Sequence, residues 1–564
     1  MSTISAQPAV ASMVWPTSVG LGGRFDYVLL ALIFCLGFFG YLMPALGYFT
    51  MIPGDLGDAR FNSVILEHGY QWLTGQAPRL WSPDFFYPFE RVLGLSDNHF
   101  GSVWSYALLR GVGFTREMAY SGWFLVGTVL NFWVCWWVLK REGFAVVAAG
   151  AGAFVFAFAL PMLHQEGHAQ MVYRFAVPLA VFAGYRGLAR KDVAALAQAV
   201  FWCGVQFLCS IYLGVFLVYA LAAGLLAYGV VHVVAGRPNR TALRWDLAKG
   251  GLVNWRWVGL AVIVGIAVIL LLRQYHQVAS DYGVVRPLDD LRALLPTPSS
   301  YLLADNSQLS RWVGSEVVPF AERSEHQMFV GIGVLVLVCI GCVGLALGQT
   351  LSAYLRKLAC VSAITLALLI PLTLLVKDFS VYYWLLNLPG VAAVRAVSRI
   401  ILVMLLPIAV LVAVGVEWLR GQSAQFRIVQ AILMLAACLL LAAETVYYQP
   451  QHYSVQSWVD RQDALRLVLT PPPARDAILY VSQRKSEPFY ITELDAMIYA
   501  QDHHLRTLNG YSGSTPAGYA YPDPCLPPDT RLKGYFAFRY VPEARQQTLL
   551  SQLKTVALEP CTKN

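Results

Sequence analysis

Apolar runs of about twenty residues recur along this chain, and that recurrence limits what it can fold into. A helix needs roughly 20 mainly apolar residues to cross a bilayer, where every backbone N–H and C=O must find its partner within the segment. Eleven such runs lie near 27–49, 118–139, 144–162, 170–186, 193–210, 211–235, 257–273, 328–348, 359–376, 400–419 and 427–446. The connection between the fifth and sixth, at Ser210–Gly214, is very tight. The run at 170–186 is short and carries Arg174, so it must tilt or be shielded by its neighbours. Composition agrees: 57% of the chain is hydrophobic and 13% charged, against about 45–50% and about 25% in ordinary soluble domains. A disordered chain is excluded, and a purely soluble enzyme is disfavoured. The net charge of +8 is not gathered into a basic block, so nucleic acid is not an expected partner. Charge becomes denser after about residue 450. The sequence therefore predicts an all-α polytopic membrane bundle of about eleven spans over 1–446, followed by a small exterior α/β domain over 447–564.

Basic residues orient the stack. Lys140 and Arg141, Arg186 with Arg190 and Lys191, the cluster from Arg237 to Arg256, Arg356 with Lys357, and Arg420 with Arg427 all fall on one side if the count is right. Positive residues in short loops mark the cytoplasm. The N-terminus is then cytoplasmic, and an odd number of spans puts 447–564 outside. The stretch before Arg24 lacks a basic n-region, so it does not read as a cleavable signal. Eight of the ten cysteines lie within the proposed spans, where they read as small apolar residues. Cys525 and Cys561, in the exterior part, could form a disulfide.

The outward segments are long, notably the loops 50–117 and 274–327, and chemistry is expected there. In the first loop, Gly54-Asp55-Leu56-Gly57-Asp58 precedes a stretch with Phe61, Ile65, Leu66, Tyr70 and Leu73 at helical spacing. An amphipathic helix lying on the membrane surface is predicted. Asp58 reads either as an N-cap or as a general base placed to take a proton from an acceptor hydroxyl. Asp55 competes for that role. Asp97 and His99 could bind a sugar hydroxyl or a cation, or cap a turn before a helix at 99–112. His164 and His168, at i and i+4 with Glu166 between them, share a face if the helix continues. They could bind phosphate, sugar or metal. Arg395 and Arg399 are also i and i+4, and guanidinium groups there suit a lipid phosphate. Glu325 and His326 are weaker candidates. In the tail, 477–482 and 531–541 read as strands, and the loop from Leu508 to Pro524 is rich in Gly, Pro and Tyr, as loops that contact sugars often are.

Four segments, in order, carry a resemblance: GDLGD (Gly54–Asp58), HQEGHAQ (His164–Gln170), SEHQMFVG (Ser324–Gly331) and LPGVAAVRAVSR (Leu388–Arg399). The pattern resembles the GT-C class of integral-membrane glycosyltransferases, including YfhO-type bacterial relatives. The resemblance implies transfer of a sugar from a polyprenyl-phosphate carrier to a cell-envelope glycan or lipid acceptor, with inversion, at the outer face of the bacterial cytoplasmic membrane. It implies Asp58 or Asp55 as base and Arg395 and Arg399 as ligands of the carrier phosphate. Ala59 stands where the class often has a second adjacent acid, which leaves the choice of base open. No cofactor is required by the pattern, although a divalent cation held by Asp97, His164, Glu166 and His168 could take over part of the arginine role. A transporter or flippase of a lipid-linked sugar is the competing reading, and a non-catalytic envelope scaffold is the third. The absence of a clear internal repeat disfavours the transporter.

Overall fold

The computed structural model describes residues 23–234, 252–284, 287–347, 351–387, 391, 394–421, 427–482, 486–519 and 527–559. Cys525 and Cys561 lie outside the described residues. Helices occupy all eleven expected stretches, and the protein is a helical, multi-pass membrane bundle. In chain order these and the other elements that position the site are α1 (Arg24–Ala45), β1 (Met51–Pro53), α2 (Asp58–Leu73), α3 (Val103–Gly111), α4 (Arg116–Arg141) and α5 (Val146–Leu163). Next come α6 (Ala176–Arg190), α7 (Val193–Cys209), α8 (Ile211–Val234), α9 (Leu252–Asp281), α10 (Ile332–Leu347) and α11 (Ala353–Thr373). The last two long helices are α12 (Val397–Arg420) and α13 (Arg427–Val446). Among the described residues, eight helices are long and apolar enough to cross a membrane. The helices in the other three expected stretches are shorter: α6, with its basic end, α7 and α10.

The helices alternate in direction, and their basic ends meet. Arg186 on α6 donates to Glu142 after α4 at 2.6 Å, and Tyr354 on α11 bonds the same carboxylate. Glu417 on α12 accepts the Ala145 N–H at 2.8 Å, and Arg420 pairs with Asp26 on α1 at 3.2 Å. The innermost helices are α5 and α12, each apolar on every side and almost wholly buried, as expected of a helix in the middle of a bundle.

Two polar groups that enter this apolar interior mend breaks in the helix pattern. Arg174, fully buried, donates to the carbonyls of Leu402 (3.0 Å) and Phe156 (2.8 Å). Ala159 is extended (ψ 151) and interrupts α5 ahead of Pro161, so Arg174 supplies Phe156 with a donor where the helix ladder breaks. The tight α7–α8 connection holds because Asp97, from the first loop, accepts the Ser210 hydroxyl at 2.6 Å and the Ile211 N–H at 3.0 Å. It caps a helix more than a hundred residues away.

After α13 the chain returns to its own beginning. Residues His452–Ser454 form β2, antiparallel to β1, with Ile52 opposite Tyr453. Helix α14 (Val455–Val468), β3 (Ile478–Ser482), α15 (Phe489–Asp502), β4 (Arg506–Thr507), α16 (Pro528–Arg539), α17 (Glu543–Ser551) and β5 (Leu553–Ala557) complete a small α/β unit. Its three-stranded parallel sheet has the order β4-β3-β5. The strand expected at 477–482 is β3. The one expected at 531–541 is instead α16: Pro528 opens it, Pro542 follows it, and Leu532 and Phe536 bury one helical face.

Helix α2 is amphipathic in sequence, yet it does not lie on a surface. Most of its length is buried, because its polar face is covered as well. Arg60 bonds Asp495 on α15. Glu67 takes the Tyr106 hydroxyl (2.5 Å) and Arg110 on α3 (2.9 and 3.0 Å). Gln71 donates to the Gln501 carbonyl at 3.2 Å. Arg461 on α14 completes the cluster by pairing with Asp495 at 2.6 Å and Glu487 at 2.7 Å. Removing Asp495 would leave the fully buried Arg60 without its counter-charge, a loss of about 3–5 kcal/mol. Asp495→Ala should therefore melt well below the wild type in detergent micelles, and an unchanged melting temperature would show that this pair does not anchor α2.

Candidate functional site

The segments GDLGD and HQEGHAQ lie side by side at the end of the bundle nearest the α/β unit. Gly54 makes this approach possible. It sits at φ +93, and a Cβ there would meet Gly167 Cα at 2.8 Å and the Glu166 carbonyl at 3.0 Å. The chain then turns into α2. Asp55, not Asp58, accepts the helix-start amides: its Oδ1 takes the N–H of Gly57 (3.1 Å) and of Asp58 (2.8 Å). Asp58 is thereby free to aim its carboxylate elsewhere.

It aims at His168. Asp58 Oδ2 lies 3.0 Å from Nδ1, and the other ring nitrogen, Nε2, lies 3.0 Å from Glu325 Oε1. Glu325 in turn accepts two hydrogen bonds from Arg399, at 3.0 Å from Nε and 2.6 Å from Nη2. The Tyr511 hydroxyl, from the loop after β4, donates to Asp58 Oδ1 at 3.0 Å. Carboxylate, imidazole, carboxylate and guanidinium thus form one chain across four segments that are far apart in sequence.

Both imidazole nitrogens face carboxylate oxygens, so both carry protons and the ring is an imidazolium. Burial and Arg399 push its pKa down. Glu325's charge and the hydrogen bonds to Asp58 and Glu325 outweigh them and raise it to about 9. Burial disfavours the charge on Asp58, yet His168, Tyr511 and Arg399 hold its carboxyl below the usual range. Against the same penalty, Arg399 and His168 hold Glu325 well below its ordinary value. Two anions and two cations balance. Asp55 differs: burial and the neighbouring Asp58 charge push its pKa up.

The other expected residues lie elsewhere or face differently. Helix α5 ends at Leu163, so His164 and His168 do not share a helical face. His164 turns to the Tyr448 hydroxyl at 3.4 Å, and burial lowers it to about 4. Glu166 accepts the Gln451 N–H at 2.6 Å, next to the β1–β2 pair, and burial raises it to about 8. Arg395 and Arg399 do not share a face either, because the segment before Val397 is not helical: Arg399 is buried and Arg395 exposed. Asp97 is the cap of α8. His99 lies behind the site, with Nε2 2.8 Å from Asn62 Oδ1, while Asn62 donates to the Asp58 carbonyl at 2.7 Å. Burial lowers His99 to about 3, so it is neutral. The cation set Asp97, His164, Glu166 and His168 is not assembled, and among the described residues no cluster of three or more His, Cys, Asp or Glu side chains could hold a metal. Glu325, a minor candidate by sequence, is central. Tyr511 was signalled only by its aromatic loop.

No family profile and no curated protein matches the sequence. Among solved structures, the archaeal oligosaccharyltransferase AglB from Archaeoglobus fulgidus, in complex with an inhibitory peptide and a dolichol-phosphate, aligns with 86% of this chain at 14% identity and a TM-score of 0.43. The chain spans 64% of that protein's length. ArnT from Cupriavidus metallidurans bound to undecaprenyl phosphate aligns over 86% of this chain and 85% of its own, at 12% identity and a TM-score of 0.31.

His168 gives a pH test. Its pKa is raised from the ordinary value near 6.5, so its contribution to stability is complete below about pH 6.5. That contribution fades as pH climbs through about 9. Wild type should out-melt His168→Gln at pH 6–7, and the gap should close above pH 9. A gap that closes near pH 6.5 would contradict the imidazolium assignment.

Proposed function

We propose that this protein is a glycosyltransferase of the GT-C class, related to YfhO-type members, which moves a sugar from a polyprenyl-phosphate carrier to a cell-envelope glycan or lipid acceptor. The observation that carries the reading is the linked chain Asp58–His168–Glu325–Arg399 at the lip of an apolar bundle. A lipid-anchored phosphate can be met only at that level. An ionised carboxylate beside two cations is the equipment that sugar transfer from a phosphate requires.

In the step we propose, the acceptor hydroxyl oxygen attacks the anomeric carbon from the face opposite the phosphate. The bond from that carbon to the phosphate oxygen breaks, its electron pair stays on the phosphate, and the anomeric centre inverts. Asp58 takes the hydroxyl proton. Its lowered pKa makes it a weak base at rest, but the hydroxyl becomes acidic as the new bond forms, so a carboxylate held ionised suffices. His168 fixes the orientation of Asp58 and is itself fixed by Glu325. Arg399 is committed to Glu325, so direct contact with the phosphate falls to Arg395, which is exposed and has no ion-pair partner among the described residues. Positive charge there favours the leaving phosphate.

The reading places the site end outside and the basic ends in the cytoplasm, the orientation that clustering of the basic ends supports. The competing transporter would carry its linked ionisable groups near the bilayer midplane. Here they sit at the lip, beside the α/β unit, which favours the enzyme.

Assayed in detergent with a short-chain polyprenyl-phosphate sugar and envelope acceptors, Asp58→Asn should lose on the order of 10²–10⁴-fold in transfer rate while still binding the carrier lipid by native mass spectrometry. Asp55→Asn should lose far less, since Asp55 serves as a helix cap. Arg395→Ala should weaken carrier binding with a smaller change in kcat. Full transfer by Asp58→Asn would sink the assignment.

A further inference from the structure

Beside Asp58, the α/β unit presents a wall of aromatic rings that is packed on the core from behind and half open in front. Phe489 and Tyr490 open α15, and Tyr511 faces them from the loop after β4. The ring centres are 5.8 Å apart for Phe489–Tyr490, 5.7 Å for Tyr490–Tyr511 and 6.5 Å for Phe489–Tyr511. Phe61 of α2 backs the Tyr511 ring edge-on at 5.5 Å. All three wall residues are only half-buried, and Tyr453 beside them is 43% exposed. The wall reaches the carboxylates: a Cβ on Gly57 would meet Tyr490 Cε2 at 3.0 Å and Asp55 Oδ2 at 3.3 Å. The Tyr490 hydroxyl has no hydrogen-bond partner among the described residues, and burial and then the charges of Asp55 and Asp58 push its pKa up.

Two carboxylates, a spare phenol hydroxyl and a half-open aromatic surface make a consistent set. Acidic oxygens accept hydroxyl donors. The negative face of an aromatic ring attracts the polarised C–H face of a ring that carries hydroxyls on its rim. A sugar ring has both surfaces, whereas a lipid tail has no donors for the carboxylates. We propose that this wall is the acceptor subsite and that the acceptor presents a carbohydrate. Its ring lies on Tyr490, and its nucleophilic hydroxyl donates to Asp58 beside the Tyr511 hydroxyl. The inference rests on the glycosyl-transfer reading for its role, but binding of a sugar can be measured without transfer.

Saturation-transfer NMR on the full-length protein in detergent, with methyl hexosides, a short envelope-type oligosaccharide and an alkylammonium probe, tests it. Irradiating the aromatic protons of the wild type should label the C–H groups of a sugar probe. Tyr490→Leu should weaken that binding at least tenfold, and Tyr490→Phe, which keeps the ring, should retain most of it. Unchanged binding in Tyr490→Leu, equal loss in both variants, or binding of the ammonium probe with no sugar bound would each overturn the proposal. Failure of glycosyl transfer itself would show separately, as a carrier that the wild type leaves uncleaved while the sugar still binds.

Discussion

Four ionised groups share one small region at the edge of an apolar bundle, and none could remain charged there alone. Removing a charge from water costs several kcal/mol unless a partner and hydrogen bonds replace the solvent. Asp58, His168, Glu325 and Arg399 meet that condition only as a set. Each interior member binds a group of opposite sign on both sides, and the terminal carboxylate is completed by Tyr511. The rest of the end face follows from this requirement. The break in α5, the non-helical entry to α12 and the short turn holding Glu325 bring the members together at hydrogen-bond distance.

The α/β unit is part of the same construction. Its Asp495 neutralises Arg60 on the helix that begins with Asp58, and its Tyr511 reaches the carboxylate itself. For the transfer proposed above such a rigid support would matter, because misplacement of a reacting group by about an ångström can cost on the order of a hundredfold in rate. Burying α2 beneath this unit gives the acid a fixed position that a helix floating on the headgroups would lack.

The helices were legible because long apolar runs leave little alternative: a helix stands in each of the eleven stretches, eight of them of spanning length among the described residues. The chemistry was legible only in part. Asp58, His168 and Arg399 could be named from local motifs, but their connection through Glu325 could not, since each contact joins residues about seventy or more positions apart. Asp58 could be read as an N-cap or as a base; the helix begins at Asp58 itself, one residue too early for Asp58 to cap it, and Asp55 accepts the helix-start amides instead. Asp97 appeared as a ligand candidate and proved to be the cap of a helix that only the tertiary fold brings near. The i, i+4 spacings of His164/His168 and Arg395/Arg399 misled for one reason: both pairs straddle a helix end. At 531–541, flanking prolines marked a helix that alternating aromatics disguised as a strand.

Pairing of β1 with β2 joins residue 52 to residue 453, with the bundle helices from α4 to α13 between them. Chain synthesis therefore delivers the acid near the start and its support near the end. Until the last segment emerges, α2 has neither the counter-charge for Arg60 nor the hydroxyl for Asp58. Contacts of such long range make assembly slow and late. A nascent or truncated copy would hold a bundle in which Asp58 lacks the Tyr511 hydroxyl and Arg60 lacks Asp495.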